Sequence, residues 1–193
     1  SVTSLAGTFA SKNIGSRVAT LSSGTLAGTD ADNYSFSLGS ATSTATILAK
    51  DLTITGIITN TKVYNGNTAA TLNNDSAALV GVIDGETVTL DSSSYSASFA
   101  DKNIGTAKAI TASGYIITGA DFANYTLTQP TSLTANVTTR SLSLASVTAK
   151  GKTYDGTTAA TYSAYSFDNA ISGDDLSVTS LAGTFASKNI GSR

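Results

Sequence analysis

The seventeen residues Ser1–Arg17, SVTSLAGTFASKNIGSR, return letter for letter as Ser177–Arg193. An identity of that length within one chain marks a tandem array, and its offset sets a period of 176 residues. A weaker period lies inside the first. FADKNIG at Phe99–Gly105 answers FASKNIG at Phe9–Gly15 and Phe185–Gly191. KVYNGNTAATL at Lys62–Leu72 answers KTYDGTTAATY at Lys152–Tyr162, and TDADNYSF at Thr29–Phe36 answers GADFANYTL at Gly119–Leu127. These spacings describe units of roughly 90 residues in two alternating versions. One complete unit is expected over 51–140. The other version is divided, its C-terminal part at 1–50 and its N-terminal part at 141–193. Each part alone is expected to be too small for a core and to leave strand edges unpaired.

Ser and Thr fill about a third of the positions, far above ordinary usage. Such a composition suits disorder, but the apolar residues alternate: Leu52 and Ile54, Val88 and Leu90, Tyr95, Ala97 and Phe99, Tyr125 and Leu127. A period of two marks half-buried strands, and Thr on the other face is stiff at χ1 and at ease in a pleat. Strands are expected near 52–58, 69–72, 87–91, 95–100, 108–112, 124–128 and 133–139, with 116–118 extending the fifth or standing separately. Turn signals separate them, among them Asn65-Gly66, Asp84-Gly85, Ser113-Gly114 and Ser172-Gly173-Asp174. Seven short strands in such a unit predict an all-β fold of tandem immunoglobulin-like β-sandwich repeats. The junctions near Lys50-Asp51 and Arg140-Ser141 carry no flexible linker sequence, so the array reads as a semi-rigid rod of roughly 30–40 Å per unit.

Three motifs recur in order: K-x-Y-D/N-G-T/N-T-A-A-T, then F-A-x-K-N-I-G, then N-Y. They resemble the YDG and MBG-type repeats of bacterial filamentous-haemagglutinin-like adhesins and giant secreted surface proteins. The matching residues are Tyr154, Asp155 and Gly156; Phe99, Lys102, Asn103, Ile104 and Gly105; and Asn124 and Tyr125. The other copies supply Tyr64, Asn65 and Gly66, the loop Phe9–Gly15, and Asn33 and Tyr34. Asn65 stands where the family has Asp, so any charge chemistry of that Asp is missing from the 51–140 unit. The resemblance implies a stalk or fibre outside the cell, exported by a two-partner or similar route. Read from the residues themselves, Tyr-Asn/Asp-Gly is a turn with Tyr at the edge of the core. F-A-x-K-N-I-G is a strand ending in a turn, with Phe and Ile buried, and Asn124-Tyr125 resembles a tyrosine corner.

Chemistry of other kinds is poorly supplied. The chain has no His, Cys, Met or Trp and a single Glu, Glu86, so no catalytic residue, cofactor site or metal site is expected. Asp30, Asp32 and Asp121 fall short of the carboxylate set that a calcium loop needs. A spontaneous Lys–Asn amide bond among Lys62, Lys102, Asn103 and Asn124 is not expected, because Asn65 replaces the assisting acid. Eleven scattered Lys and Arg offer no nucleic-acid footprint, and no apolar run spans a membrane. Absence of thiols suits a large exported protein. No signal peptide is visible, as expected for an internal window of an array. The expected role is an extracellular structural repeat on the bacterial surface or secreted from it, with neighbouring repeats as partners. The alternatives are a glycan- or partner-binding module, with host or matrix glycans at Tyr95, Tyr115, Tyr162 or Tyr165, and a self-assembling matrix fibre in which copies pair with one another.

Overall fold

A computed structural model describes residues 1–191; Ser192 and Arg193, the last letters of the repeated seventeen, lie outside the described residues. The chain is all-β, with 46% of residues in strands and no α-helix among the described residues. Its two helical turns, Ala31–Asn33 and Phe122–Asn124, are three residues long and belong to the same motif, D-x-x-N-Y. In each, the Asn N–H donates to the carbonyl three residues back, Asp30 or Asp121, and the following Tyr re-enters extended backbone. The two copies therefore build one local structure from different intervening residues.

The residues pack into two compact units, 1–58 with 72–96 and 112–131, and 59–71 with 97–111 and 132–193. In the first, Val2–Phe9, Gly15–Leu26 and Thr42–Ile47 form an antiparallel sheet in that order. Lys50–Thr55 lies between two neighbours, parallel to Tyr125–Leu127 and antiparallel to Ala78–Val80. Ile116–Thr118 pairs with Thr89–Asp91 as a separate strand. The expected strand 52–58 stops at Thr55. Gly56 takes φ +79°, and a Cβ there would stand 2.0 Å from the Ser76 carbonyl oxygen. That close approach of two backbones breaks the strand before it resumes at Ile58–Thr59.

In the second unit most residues of a four-stranded sheet run in the order Ser96–Phe99, Gly105–Ser113, Leu133–Thr138, Lys62–Val63. The last pairing is parallel, Val137 with Lys62 and Thr138 with Val63. Ser143–Ala149 pairs with Tyr162–Asp168, and Ala159–Ala160 with Gly183–Thr184. Two strands in these units, Lys62–Val63 and Ala78–Val80, are two and three residues long, too short for an alternating pattern to reveal.

Apolar burial is uneven along the sequence. Among the described residues the buried core is Leu52, Leu72, Ala112, Tyr115 and Tyr125 in the first unit and Ala70, Phe99, Ile110, Ala135, Val137 and Ala160 in the second. All but Ala160 lie within 51–140. The stretches on either side hold strands whose large apolar residues, such as Leu5 and Val147, remain exposed, as do Phe36 and Leu142 beside them. Alternation there sets strand geometry without supplying a second layer to cover it.

Candidate functional site

Two turns present an acid in the same way. Ile83-Asp84-Gly85-Glu86 and Ile171-Ser172-Gly173-Asp174 each close with the acid's N–H donating to the Ile carbonyl at 3.1 Å. The glycine before the acid takes φ +81° in one and +91° in the other, a conformation that L side chains rarely adopt. Each acid then meets a Lys from an F-A-x-K-N-I-G loop.

In the first unit, Lys12 Nζ donates to Glu86 Oε1 at 2.8 Å and to Asp121 Oδ1 at 3.4 Å. Beside it, Ile14 N–H donates to Asn124 Oδ1 at 3.1 Å and Asn124 Nδ2 donates to Asn13 Oδ1 at 3.2 Å. Arg17 braces the loop from behind by donating to the Asn13 and Ile14 carbonyls. Tyr125 braces the acid: its hydroxyl donates to Glu86 Oε2 at 2.6 Å and accepts the Ile83 N–H at 3.1 Å. The Lys12 ammonium, and after it the Tyr125 hydroxyl, hold the Glu86 carboxyl below its ordinary range. Asp121 is lowered too, first by the Thr87 N–H that it accepts at 2.9 Å. Lys12 is raised, chiefly by Glu86.

In the second unit, Lys102 Nζ donates to Asp174 Oδ1 at 3.1 Å. The Tyr64 hydroxyl lies against both oxygens of that carboxylate, at 2.9 and 2.8 Å, and the Lys102 ammonium stands 5.9 Å from the centre of the Tyr64 ring. Tyr64 and then Lys102 hold Asp174 below its usual value, and Asp174 raises Lys102. Gly66, at φ +81°, faces the Ile171 side chain at the head of the same turn. Each carboxylate accepts from a lysine ammonium and a tyrosine hydroxyl, which makes it a positioned acceptor for a loop.

The remaining motif residues shape these loops. Phe99 is buried with the Lys62 ammonium 5.9 Å from its ring centre. Lys62, lowered by burial, caps the Y-N-G turn through the Asn67 and Ala69 carbonyls and Asn67 Oδ1, each within 2.8 Å. In the other copy Lys152 donates to Asp155 Oδ1 at 2.8 Å and to Thr157. Lys152 and the Thr157 N–H push Asp155 down to about 2. Asn65 preserves what Asp155 does for the backbone: its Oδ1 accepts the N–H two residues on, as Asp155 Oδ1 does. The lysine contact that Asn65 does not take goes to Asn67, so the turn survives the change. Gly156 takes φ +76°, and Tyr154 is exposed. The Asn103 carbonyl accepts from Lys108, whose ammonium also pairs with Asp101.

Several expectations need correcting. Ile104, expected in the core, is 57% exposed, because the chain turns outward after Asn103 before Gly105 enters the strand paired with Val137. Tyr115 is buried and Tyr95 is half-buried. Their rings stack at 5.7 Å, with the Tyr115 hydroxyl on Asn74 and that of Tyr95 on Leu72, so the buried Tyr115 offers no face to a sugar. Tyr165 is exposed at one edge and packs on Phe167, while Tyr162 is half-buried. Lys62 and Lys102 sit on Asn67 and Asp174, while Asn124 sits on Asn13 and Ile14. Sequence reasoning singled out the lysines and tyrosines of the contacts but read Glu86 only as the single glutamate of the chain and Asp174 only as part of a turn. Their signal is I-x-G-acid, present in both versions at an offset of 88 residues.

No curated protein and no solved structure matches the chain significantly. The YDG domain matches it twice, over residues 48–133 and 138–193. Lys12 lies before the first matched segment and Glu86 within it, while Lys102 lies in the first and Asp174 in the second. With three motifs repeated at these spacings and most of its length matched, the chain belongs to the YDG domain family.

Proposed function

We propose that this chain is a non-catalytic, extracellular structural array, the stalk or fibre body of a bacterial adhesin-like surface protein. In this reading its repeat units of roughly 90 residues are immunoglobulin-like β-sandwiches that follow one another without flexible linkers as a stiff rod. One observation carries this reading. Two successive F-A-x-K-N-I-G lysines, Lys12 and Lys102, each reach across a segment boundary to the acid of an I-x-G-acid turn. A contact rebuilt at consecutive boundaries from repeated motifs is what a rod requires, since each segment then registers on the next. An independent domain has no need of it. The filled carboxylates and the absence of His and Cys from the chain favour support over catalysis. Protease treatment of intact producing cells, followed by mass spectrometry of the released peptides, tests the location. Peptides from residues 1–193 should appear before lysis. Their release only after lysis would defeat the extracellular reading.

A further inference from the structure

The two Tyr-x-Gly turns differ at one chemical group. KVYNGN at Lys62–Asn67 carries a carboxamide where KTYDGT at Lys152–Thr157 carries a carboxylate. Their backbones match. Gly66 takes φ +81° and Gly156 +76°. Asn65 Oδ1 accepts the Asn67 N–H at 3.3 Å, and Asp155 Oδ1 accepts the Thr157 N–H at 2.9 Å. The lysines match as well. Lys62 Nζ donates to the Asn67 carbonyl at 2.8 Å, and Lys152 Nζ to the equivalent Thr157 carbonyl at 3.1 Å. Lys152 also holds Asp155 Oδ1 at 2.8 Å, whereas Lys62 turns to Asn67 Oδ1 at 2.7 Å. An ammonium thus stands ready on the Asn65 turn for a carboxylate that this turn does not have.

Asn65 is also the asparagine best placed to become one. It is the only Asn of the sequence followed by Gly; every other Asn precedes a residue with a Cβ. A side-chain amide can be attacked by the main-chain nitrogen of the next residue, and a Cβ on that residue hinders the approach. Among the described residues no acceptor takes the Gly66 N–H, so its proton is open to hydroxide. Asn65 is exposed, which lets ammonia leave and water enter. The hydrogen bond from the Asn67 N–H folds the carboxamide back along the chain toward the Gly66 peptide. It also polarises the Cγ carbonyl, where negative charge develops during attack.

We propose that Asn65-Gly66 is a self-modifying site that converts this Y-N-G turn into Y-D-G. The Gly66 nitrogen gives its proton to hydroxide and bonds to Asn65 Cγ. The Cγ–Nδ2 bond breaks, the side-chain nitrogen leaves as ammonia, and a five-membered succinimide remains. Water then adds at Cγ, and the bond from Cγ to the Gly66 nitrogen breaks as that nitrogen recovers a proton. One water is consumed and one ammonia released, with no oxidation or reduction. Addition at the other succinimide carbonyl, that of the Asn65 main chain, would route the chain through Cβ and Cγ and give isoaspartate. The turn opposes that lengthening. Gly66 lies so close to Ile171 that an added Cβ would stand 2.7 Å from Ile171 Cγ2. Lys62 favours addition at Cγ, because Lys152 shows where an ammonium on this turn sits, beside the oxygen of the new carboxylate. The product is a turn that the chain already holds at Asp155. The inference does not rest on where the protein acts.

The full-length chain is held at mildly alkaline pH, folded or unfolded in guanidinium chloride. Intact mass and electron-transfer fragmentation of the peptide containing residue 65 follow the change. The folded chain should gain about 1 Da at that residue, with Asp as the main product. It should do so faster than the unfolded chain, since the turn orients the reacting groups. Gly66→Ala should slow the gain by about tenfold or more, because its Cβ hinders the attacking nitrogen and resists the left-handed backbone. Lys62→Ala should raise the share of isoaspartate. No gain at residue 65, a gain no faster in the folded chain than in the unfolded one, isoaspartate as the main product, or product shares unchanged in Lys62→Ala would each overturn the inference.

Discussion

Residues 1–15 and 177–191 are the same sequence in different surroundings. Near the start, Val2–Phe9 is an eight-residue strand paired with Gly15–Leu26, and Phe9 is 46% exposed. Near the end, among the described residues only Gly183–Thr184 is strand, paired with Ala159–Ala160, and Phe185 is half-buried beneath Lys152. The middle copy has both kinds of neighbour, Gly105–Ser113 on one side and the Thr68–Ala70 stretch on the other, and there Phe99 is only 3% exposed. Local propensity is identical in the first two cases, so the partners brought by the rest of the chain decide strand length and burial. A strand of this kind is defined by what lies beside it.

The phenylalanines offer the largest effect by which to break that comparison. Phe99→Ala should cost about 3–5 kcal/mol, because it empties a closed core position. Phe9→Ala should cost under about 1 kcal/mol in dilute solution. Urea denaturation of both variants measures the gap. Equal losses would mean that Phe9 is as well covered as Phe99, and the contrast between the copies would fail.

The two Tyr-x-Gly turns sharpen it at an intermediate scale. Gly66→Ala and Gly156→Ala both force a left-handed backbone on a residue with a Cβ, at about 1 kcal/mol each. At Gly66 the new Cβ would also stand 2.7 Å from Ile171 Cγ2, whereas at Gly156 nothing lies within 4 Å. Gly66→Ala should therefore lower the thermal midpoint further. Indistinguishable midpoints would show that the contact with the Ile171 turn is not maintained in solution.

The smallest effect is set by pH. Glu86, Asp121, Asp174 and Asp155 all have folded values below their ordinary ones, so their contribution is present above the unfolded values, near 4. It is lost as pH falls through the folded values, the one for Asp155 being about 2. Asn65 has no proton to take up at the equivalent turn. Carboxyl titration followed by NMR should find Asp155 still ionised at pH 3, and Lys152→Ala should raise its midpoint. An unchanged Asp155 midpoint in that variant would separate the lysine from the turn it caps.

Much of this was legible in the residues, for identifiable reasons. Alternation located the strand at Leu133–Thr138 closely, because Leu133, Ala135 and Val137 face inward while Thr and Asn face outward. It overran at Gly56, where the obstacle is the Ser76 carbonyl from another part of the chain. The contact lysines stood out because their loop recurs, and Tyr64 and Tyr125 because their motifs recur. Their acids did not, since an acid after a glycine turn looks the same whether or not a lysine some seventy residues away arrives beside it. Pairings at such separations depend on topology, which periodicity does not encode.

The parallel pairings have a mechanical meaning. Lys50–Leu52 lies parallel to Tyr125–Leu127, and Lys62–Val63 parallel to Val137–Thr138. Tension carried along the backbone would draw the earlier strand of each pair one way and the later strand the other, along the ladder itself. The hydrogen bonds of a ladder loaded in that direction resist together, whereas a hairpin pulled apart from its open end yields one bond at a time. Each ladder would thus resist stretching within its own unit. The shorter is the two-residue pairing at Lys62–Val63, where Lys62 also anchors the neighbouring turn. Under load, that lysine would hold together the loop and the ladder it belongs to.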